Sequence, residues 1–311
     1  MWQYLARRAL LAIPVILGVS MMTFFLIRLT PGDPVRGVLG PTATPDAIAF
    51  WRTYYRLDDP LFTQFVDYVV RILTLNFGES IQFRQPVNDM IAGRIGTSIV
   101  LVLYTIVIAL SVALPLAVWS AVKANKWPDT IIRFVMMLSF AMPAFWLGIT
   151  FVQIFSLKLK LFPASGIREG GVVMLLWSLT LPAIVSGLYL APVLIRTLRL
   201  SMIESLKAEY VEAARARGLG EGRVLRRYVL RTSLISTATV LGVSVGYLIG
   251  GTVVVENVFA LPGIGTLVVE AVGNRDFPMV QALTLLIGFA VAVISLFTDL
   301  VNAVLDPRIR R

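Results

Sequence analysis

The sequence predicts an all-α integral membrane protein with six transmembrane helices, a long external segment after the first helix, and a short polar helix on the cytoplasmic side. Three observations carry that prediction. Charged residues make up 15% of the chain and hydrophobic residues 57%, with a mean hydropathy of +0.81, whereas soluble domains carry about 25% charge. Six apolar runs are each long enough to cross roughly 30 Å of hydrocarbon as a helix. The excess of basic residues collects on one side of those runs.

Met1 to Arg8 is short and ends in Arg7-Arg8. The first apolar run, Ala9 to Ile27, is long enough to span. No small-x-small cleavage site precedes the turn Thr30-Pro31-Gly32-Asp33-Pro34, so it reads as a retained span rather than a leader. Residues 1–29 are thus a cytoplasmic N-terminus and first span, and 30–97 form the longest polar region. Thr44-Pro45-Asp46 marks a helix start with proline at an early position. Pro60 opens an amphipathic helix, Leu61 to Leu75, with Leu61, Phe65, Tyr68, Val69 and Ile72 on one face, and Gly78-Glu79-Ser80 ends it. Pro86 starts a third helix that leads into the next span. Phe50, Trp51, Tyr54, Tyr55, Phe62, Phe65 and Tyr68 suit a membrane interface, as a packed cap or as a platform for an external partner.

The remaining runs are Ser98 to Val122, Phe134 to Leu157, Val172 to Ile195, Leu234 to Val255 and Val280 to Val304, so residues 98–305 form the membrane core. Pro115, Pro143, Pro182 and Pro192 lie inside them, which neighbouring helices tolerate by re-satisfying freed carbonyls. Gly242, Gly246 and Gly250 give the fifth span a small face for close approach, within the bundle or to a second subunit. Pro262, Gly263 and Gly265 break the chain between the last two spans. A turn at that depth is permitted only if buried in protein or lining water. Glu256 and Asp299 stand near helix ends, within reach of interfacial water or a basic partner, and no acid stands in the middle of a span.

With the N-terminus inside, the cytoplasmic pieces hold 17 Lys/Arg and 6 acids, and the external pieces hold 11 of each. The net +10 of the chain is therefore a cytoplasmic excess, as the positive-inside rule requires. Membrane orientation accounts for the charge, some of which also suits anionic lipid, and nucleic-acid binding is not needed to explain it. The tail 306–311 is basic and cytoplasmic, as is the connection at about 198–231. Within that connection Ser201 and Glu204 have capping-box spacing. Leu206, Tyr210, Ala213, Ala214 and Arg217 share one helical face, Glu212 stands three residues before Arg215, and Gly218 suits the left-handed residue after a helix end, with Leu219 folding back.

Several chemistries are excluded. The chain has no Cys and no His, so disulfides, thiol nucleophiles, Cys–His metal sites and histidine acid–base catalysis are absent. No paired carboxylates occupy a span, which disfavours a membrane-embedded enzyme. Gly218-x-Gly220-x-Gly222 lacks a preceding strand and a Gly-Lys pair, so it is not a nucleotide loop. No cofactor is expected.

Glu212-Ala213-Ala214, three residues, then Gly218 resembles the coupling loop of the membrane subunits of bacterial ATP-binding-cassette importers, although Tyr228, Leu230 and Arg231 replace the usual Ile-x-Leu-Pro continuation. The Thr30–Pro34 turn and Asn76-Phe77-Gly78-Glu79-Ser80 resemble the dipeptide/oligopeptide permease family. So do Val253-Val254-Val255-Glu256-Asn257-Val258-Phe259-Ala260-Leu261-Pro262-Gly263-Ile264-Gly265, Asn274-Arg275-Asp276-Phe277-Pro278-Met279-Val280-Gln281, Asp299-Leu300-Val301-Asn302 and Leu305-Asp306-Pro307-Arg308. Asn76, Gly96 and Ser236 depart from the family's usual acid, proline and proline. The resemblance covers essentially the whole chain and is greatest to the first of the two permease subunits. It implies a type I importer permease fold and a non-catalytic transport subunit in a bacterial cytoplasmic membrane, with both termini cytoplasmic. It further implies a second homologous permease, two cytoplasmic ATPases (or one fused chain), an extracytoplasmic substrate-binding protein and a peptide substrate. Tyr210, Glu212, Ala213, Ala214, Gly218 and Leu219 would then make the ATPase-coupling site.

The same machine with another cargo, a nickel chelate, glutathione or haem, is the alternative reading. A stand-alone secondary carrier is the alternative of a different class, and it would need mid-span charges that the chain lacks. Among polar residues in the spans, sequence alone does not rank Ser111, Ser139, Gln153, Thr180 or Ser244 as lining a pathway.

Overall fold

The computed structural model describes residues 2–29, 35, 39–40, 43–54 and 56–305. The Thr30–Pro34 turn, Tyr55 and the 306–311 tail lie outside them, as do the side chains of Arg7, Arg8 and Asn302. The described chain is helical and carries no strand beyond an isolated bridge between Glu79 and Pro86. Its helices are α1 (Trp2–Leu29), α2 (Pro45–Tyr54), α3 (Leu61–Leu73), α4 (Val87–Val122), α5 (Trp127–Ala141), α6 (Ala144–Phe151, prolonged by a π-helical turn Val152–Lys158), α7 (Gly171–Leu206) and α8 (Glu209–Ala216). Then come α9 (Glu221–Val224), which passes through a π-helical turn (Leu225–Leu230) into α10 (Arg231–Val258), α11 (Ile264–Gly273) and α12 (Phe277–Leu305).

Among the described residues, four helical stretches are long and apolar enough to cross a membrane: α4, α7, the continuous Glu221–Val258 and Phe277–Val301 of α12. Helices α5 and α6 make a fifth crossing only as a pair bent by 100°. In α1, the shorter apolar stretch is Ile13–Phe25 within 28 helical residues. The third predicted run is therefore not one straight helix. Met142 is extended (φ −83°, ψ 137°) ahead of Pro143, because a residue before proline is driven out of the helical region by the proline ring. Pro115, Pro182 and Pro192 interrupt no helix. Gly96 and Ser236, where the resembled family favours proline, likewise lie within continuous helix.

One compact unit comprises residues 1–8, 99–261 and 293–311. Its α4 is buried at every fourth position, Leu101, Thr105, Ala109, Ala113, Ala117 and Ala121, a ridge of mostly methyl-sized side chains. Gly187 of α7 lies close to that ridge, where an added Cβ would stand 3.6 Å from Ile108 and 3.8 Å from the Ala109 nitrogen. Small residues replace apolar bulk at such contacts because approach, not water exclusion, holds helices together in lipid. A Cβ on Gly242 would overlap the Thr298 side chain of α12, while the space beside Gly250 is open. The Tyr189 hydroxyl donates to the Met142 carbonyl at the α5–α6 break. Glu256, expected to reach interfacial water or a basic partner, is fully buried and so does not reach water. In the break after it Phe259 and Leu261 are each 1% exposed, while Ala260 and Pro262 are exposed.

The second unit comprises residues 9–98 and 262–292. Here the amphipathic pattern of α3 is met by Tyr68 but not by Leu61, which is exposed. Gln64 takes the buried place because its amide donates to the carbonyls of Leu57 (3.1 Å) and Asp59 (2.7 Å) and so fastens the preceding turn. Phe24 of α1 packs against Phe65 and Tyr68. Trp51 joins a small core with Val35 and Ile81, while Phe50 and Phe62 stay exposed, so the aromatics serve partly as a packed cap. Helix α11 packs Leu267 and Ala271 against Met279, Ala282 and Val87, and the Ser98 hydroxyl accepts the Ile264 N–H at its start (2.8 Å). Two motifs far apart in sequence meet here. Ser80 donates to the buried carboxylate of Asp276, which also accepts the N–H groups of Gln82 (3.4 Å) and Met279 (3.5 Å) and thereby caps α12.

Candidate functional site

The polar connection between α7 and α10 is built around α8. Ser201 and Glu204 do not cap it, since both lie inside α7, where Ser201 faces Ser236 across 3.3 Å. A capping box needs the chain to leave helical geometry at the serine, and the apolar residues around it keep α7 helical to Leu206. The chain turns at Lys207-Ala208 instead. Ala208 is extended, and its carbonyl accepts the N–H of Val211 (2.9 Å) and Glu212 (3.3 Å). No side chain caps this end, but Glu209 and Glu212 place negative charge in the first turn, where the helix dipole favours it.

The other end is closed as the sequence predicts. Gly218 has φ +76°, its N–H bonds the Arg215 carbonyl (2.8 Å), and the Leu219 N–H bonds the Ala214 carbonyl (3.3 Å). These are the two bonds of a Schellman stop. Leu219 packs on the cluster that holds Val211 and Ala214, both 0% exposed, together with Leu198, Met202, Val224 and Val229. Of the predicted series, Ala214 faces inward and Leu206 packs on the same cluster, while Tyr210, Ala213 and Arg217 are exposed and Val211 takes the other inward place. Tyr210, Glu212, Ala213 and Gly218 all face outward. The predicted Glu212–Arg215 pair is replaced: Arg215 donates Nε and Nη2 to Glu221 (2.8 and 3.2 Å), across the Gly218 turn. That carboxylate raises the pKa of the Arg215 guanidinium, and Glu212 adds a weaker attraction. Glu212 itself makes no ion pair or side-chain hydrogen bond among the described residues, so its carboxylate is open to an outside partner.

A buried ionic clamp, not foreseen from sequence, sets the end of α7 next to α8. The Asp129 carboxylate is 0% exposed and accepts Nε and Nη2 of Arg199 (2.7 and 2.6 Å), the Ser120 hydroxyl (2.5 Å) and the Asn125 N–H (2.9 Å). Arg133, one turn along α5, also stands 3.5 Å from this carboxylate, so Asp129 serves two cations, and losing Asp129 would leave Arg199 without its partner. The sequence counted both residues only as loop charge.

Of the polar span residues left unranked, Ser111, Ser139 and Thr180 bond carbonyls of their own helices and Gln153 is exposed. Ser244 lines an open cavity of about 600 Å³ among α5, α6, α7 and α10. Ser186, Tyr189 and Tyr247 line it too and were missed. The signal for them was spacing: Ser186, Tyr189, Leu190 and Val193 fall at i, i+3, i+4 and i+7, one face of α7.

Residues 113–311 match the family described as "binding-protein-dependent transport system inner membrane component", and residues 1–102 match its N-terminal counterpart. The glutathione transport system permease protein GsiC of Salmonella typhimurium is 35% identical over 311 residues, covering 100% of this chain and 99% of its own length. A putative peptide transport system permease protein of Brucella abortus is 36% identical over 306 residues, 98% of each chain. In structure, an inward-facing conformation of the MetNI methionine ABC transporter matches with a TM-score of 0.59 at 15% identity, over 70% of this chain and 96% of that one, which shows a shared fold. The all-α membrane architecture, the whole-length similarity and the family match agree: this chain belongs to the inner-membrane permease components of binding-protein-dependent ABC importers.

Proposed function

We propose that this permease conducts short peptides as one of two homologous membrane subunits, and that α8 couples it to cytoplasmic ATPases, two chains or one fused. Tyr210, Glu212, Ala213 and Gly218 would form the face the ATPases grip, with Ala214 and Leu219 anchoring the helix from behind. An extracytoplasmic binding protein would deliver the cargo, and both termini would be cytoplasmic. The single observation that carries the coupling assignment is an outward carboxylate, Glu212, without an ion pair among the described residues, on a short helix whose other face is fixed in the core.

The expected peptide cargo rests on relatives named as putative peptide permeases. Glutathione, itself a modified tripeptide, is a second reading that the name of another relative favours. The test uses the importer purified from its native membrane. ATP hydrolysis and uptake are measured with tri-alanine, glutathione, a nickel chelate or haem, each with the binding protein. Stimulation by tri-alanine or glutathione supports the proposal, and response only to chelate or haem sinks the cargo class. For coupling, Glu212→Ala is expected to leave the chain inserted while uptake stimulated by ATP is lost. Gly218→Val should do the same, whereas Gly218→Asn should keep most of the activity. Asparagine tolerates the left-handed backbone, which costs a β-branched residue about 1–2 kcal/mol, and nothing lies within 4 Å of the Cβ position. Unchanged uptake in both Glu212→Ala and Gly218→Val would defeat the assignment.

A further inference from the structure

The cavity among α5, α6, α7 and α10 holds a chemistry that the fold itself does not use. Its walls are almost wholly apolar, no lining residue is charged, and the polar groups in it are hydroxyls. Many hydroxyls in the membrane helices return to a carbonyl one turn back, as Ser178, Thr197, Thr237 and Thr284 do. Thr105, away from the cavity, does not, and neither does Ser186, which lines it. Its side chain is 3% exposed, and its oxygen has no hydrogen-bond partner among the described residues. A buried hydroxyl without a partner is costly, so it marks a place where another molecule completes the pairing.

A second, independent feature borders the same space. Phe140 and Ala144, on either side of the α5–α6 break, both line the cavity. Irregular backbone at membrane depth survives where it is buried in protein or lines a cavity, and broken helices are where membrane carriers build their substrate sites. The break is held by Tyr189, which donates to the Met142 carbonyl and itself lines the cavity.

We propose that this cavity is the chain's wall of the transport pathway, and that Ser186 and Ser244 are its contacts to the amide groups of an extended peptide. The inference rests on the peptide-importer reading above. A helix from a second permease would suit the apolar wall but bring no free backbone groups, because its own N–H and C=O groups are paired along its axis. It would leave Ser186 as it stands. An extended peptide carries unpaired N–H and C=O groups at every residue and satisfies both hydroxyls. Uncharged walls also accept varied side chains without holding any of them tightly, which suits a site that cargo must leave. The volume falls in the range of small-molecule sites, about 300–1,000 Å³.

The chain contains no cysteine, so a single introduced thiol in it can be followed. The complete importer, with binding protein and ATP in proteoliposomes, is made with Ser186→Cys, Ser244→Cys or, as a control on α10 outside the cavity, Val254→Cys. A charged methanethiosulfonate reagent is applied with and without tri-alanine, and labelling is read on this chain by mass spectrometry. Labelling at positions 186 and 244 is expected to abolish tri-alanine uptake, and tri-alanine is expected to slow that labelling. Position 254 should show neither effect. Ser186→Ala is expected to raise the KM for tri-alanine about fivefold, the loss of one hydrogen bond, with no fall in thermal stability, since the removed hydroxyl had no internal partner. Labelling that leaves uptake intact, or that tri-alanine does not slow, overturns the pathway assignment while the importer reading stands. An unchanged KM in Ser186→Ala overturns the hydroxyl's role. A wild-type complex that imports neither tri-alanine nor glutathione removes the peptide-cargo reading, and this proposal with it.

Discussion

At the scale of residues, two acids occupy opposite settings, Asp276 enclosed and Glu212 open. Asp276 shows the first case. Burial pushes its carboxyl pKa up, against the opposing hydrogen bonds from Ser80, Gln82, Met279 and Ile81. An acid whose pKa is raised on folding binds its proton more tightly in the folded state, so folding is favoured as pH falls from the raised value toward the ordinary carboxylate range and is weakened above it. The Ser80–Asp276 joint should therefore tighten on mild acidification. Asp276→Asn can still accept from Ser80 and cap α12, so it is expected to keep the joint and lose its pH response. Hydrogen exchange at the Gln82 and Met279 amides across pH measures both. An Asp276→Asn chain as pH-sensitive as the wild type would rule this account out. Glu212 shows the second case, an acid left open on a helix face. Its outward place was legible in sequence, because Glu-Ala-Ala-x-x-x-Gly specifies both a helix and its stop. The role of Arg215 was not legible, since Glu221 reaches it only once Gly218 has turned the chain.

At the scale of elements, glycines distinguish contacts inside the chain from surfaces it leaves free. Sequence spacing gave Gly242 and Gly250 equal standing. The fold separates them, because Thr298 fills the space beside Gly242 and nothing fills the space beside Gly250. Gly242→Val should cost about 1–3 kcal/mol, the usual penalty for overpacking. Gly250→Ala should leave the chain's own stability unchanged. Thermal unfolding in detergent checks both, and equal melting of the two variants would contradict this packing. Apolar runs of about 20 residues marked four of the six expected spans as continuous helices and a fifth as a bent pair, because the bilayer sets one length for all of them. The 100° break in the third run was not foreseen. Pro143 alone does not announce it, since Pro115, Pro182 and Pro192 stay within helices; what differs is that Met142 leaves helical geometry and the Tyr189 hydroxyl is placed to donate to its carbonyl. The Asp129–Arg199 clamp joins residues 70 positions apart, a separation at which no periodicity in the sequence speaks.

At the scale of the whole molecule, the distribution of Lys and Arg predicts an orientation with α8 on the cytoplasmic side. Glu212→Cys is expected to react with a membrane-impermeant maleimide only after the cytoplasmic face is opened, and Glu79→Cys is expected to react from outside in intact cells. The reverse pattern would invert the topology and remove α8 from the ATPases. One feature of α8 then acquires a mechanical meaning. It is joined at its start to the end of α7 and, through the Gly218 stop and the Arg215–Glu221 pair, to the start of the helix that continues into α10. Its inner face is seated in one cluster with residues from both neighbours. On the coupling proposed above, it would act as a yoke across two beams, α7 and α10, which carry Ser186 and Ser244. A load on its outer face would reach the walls of the cavity along both, through Pro192 in α7 and through the π-helical turn Leu225–Leu230 ahead of α10.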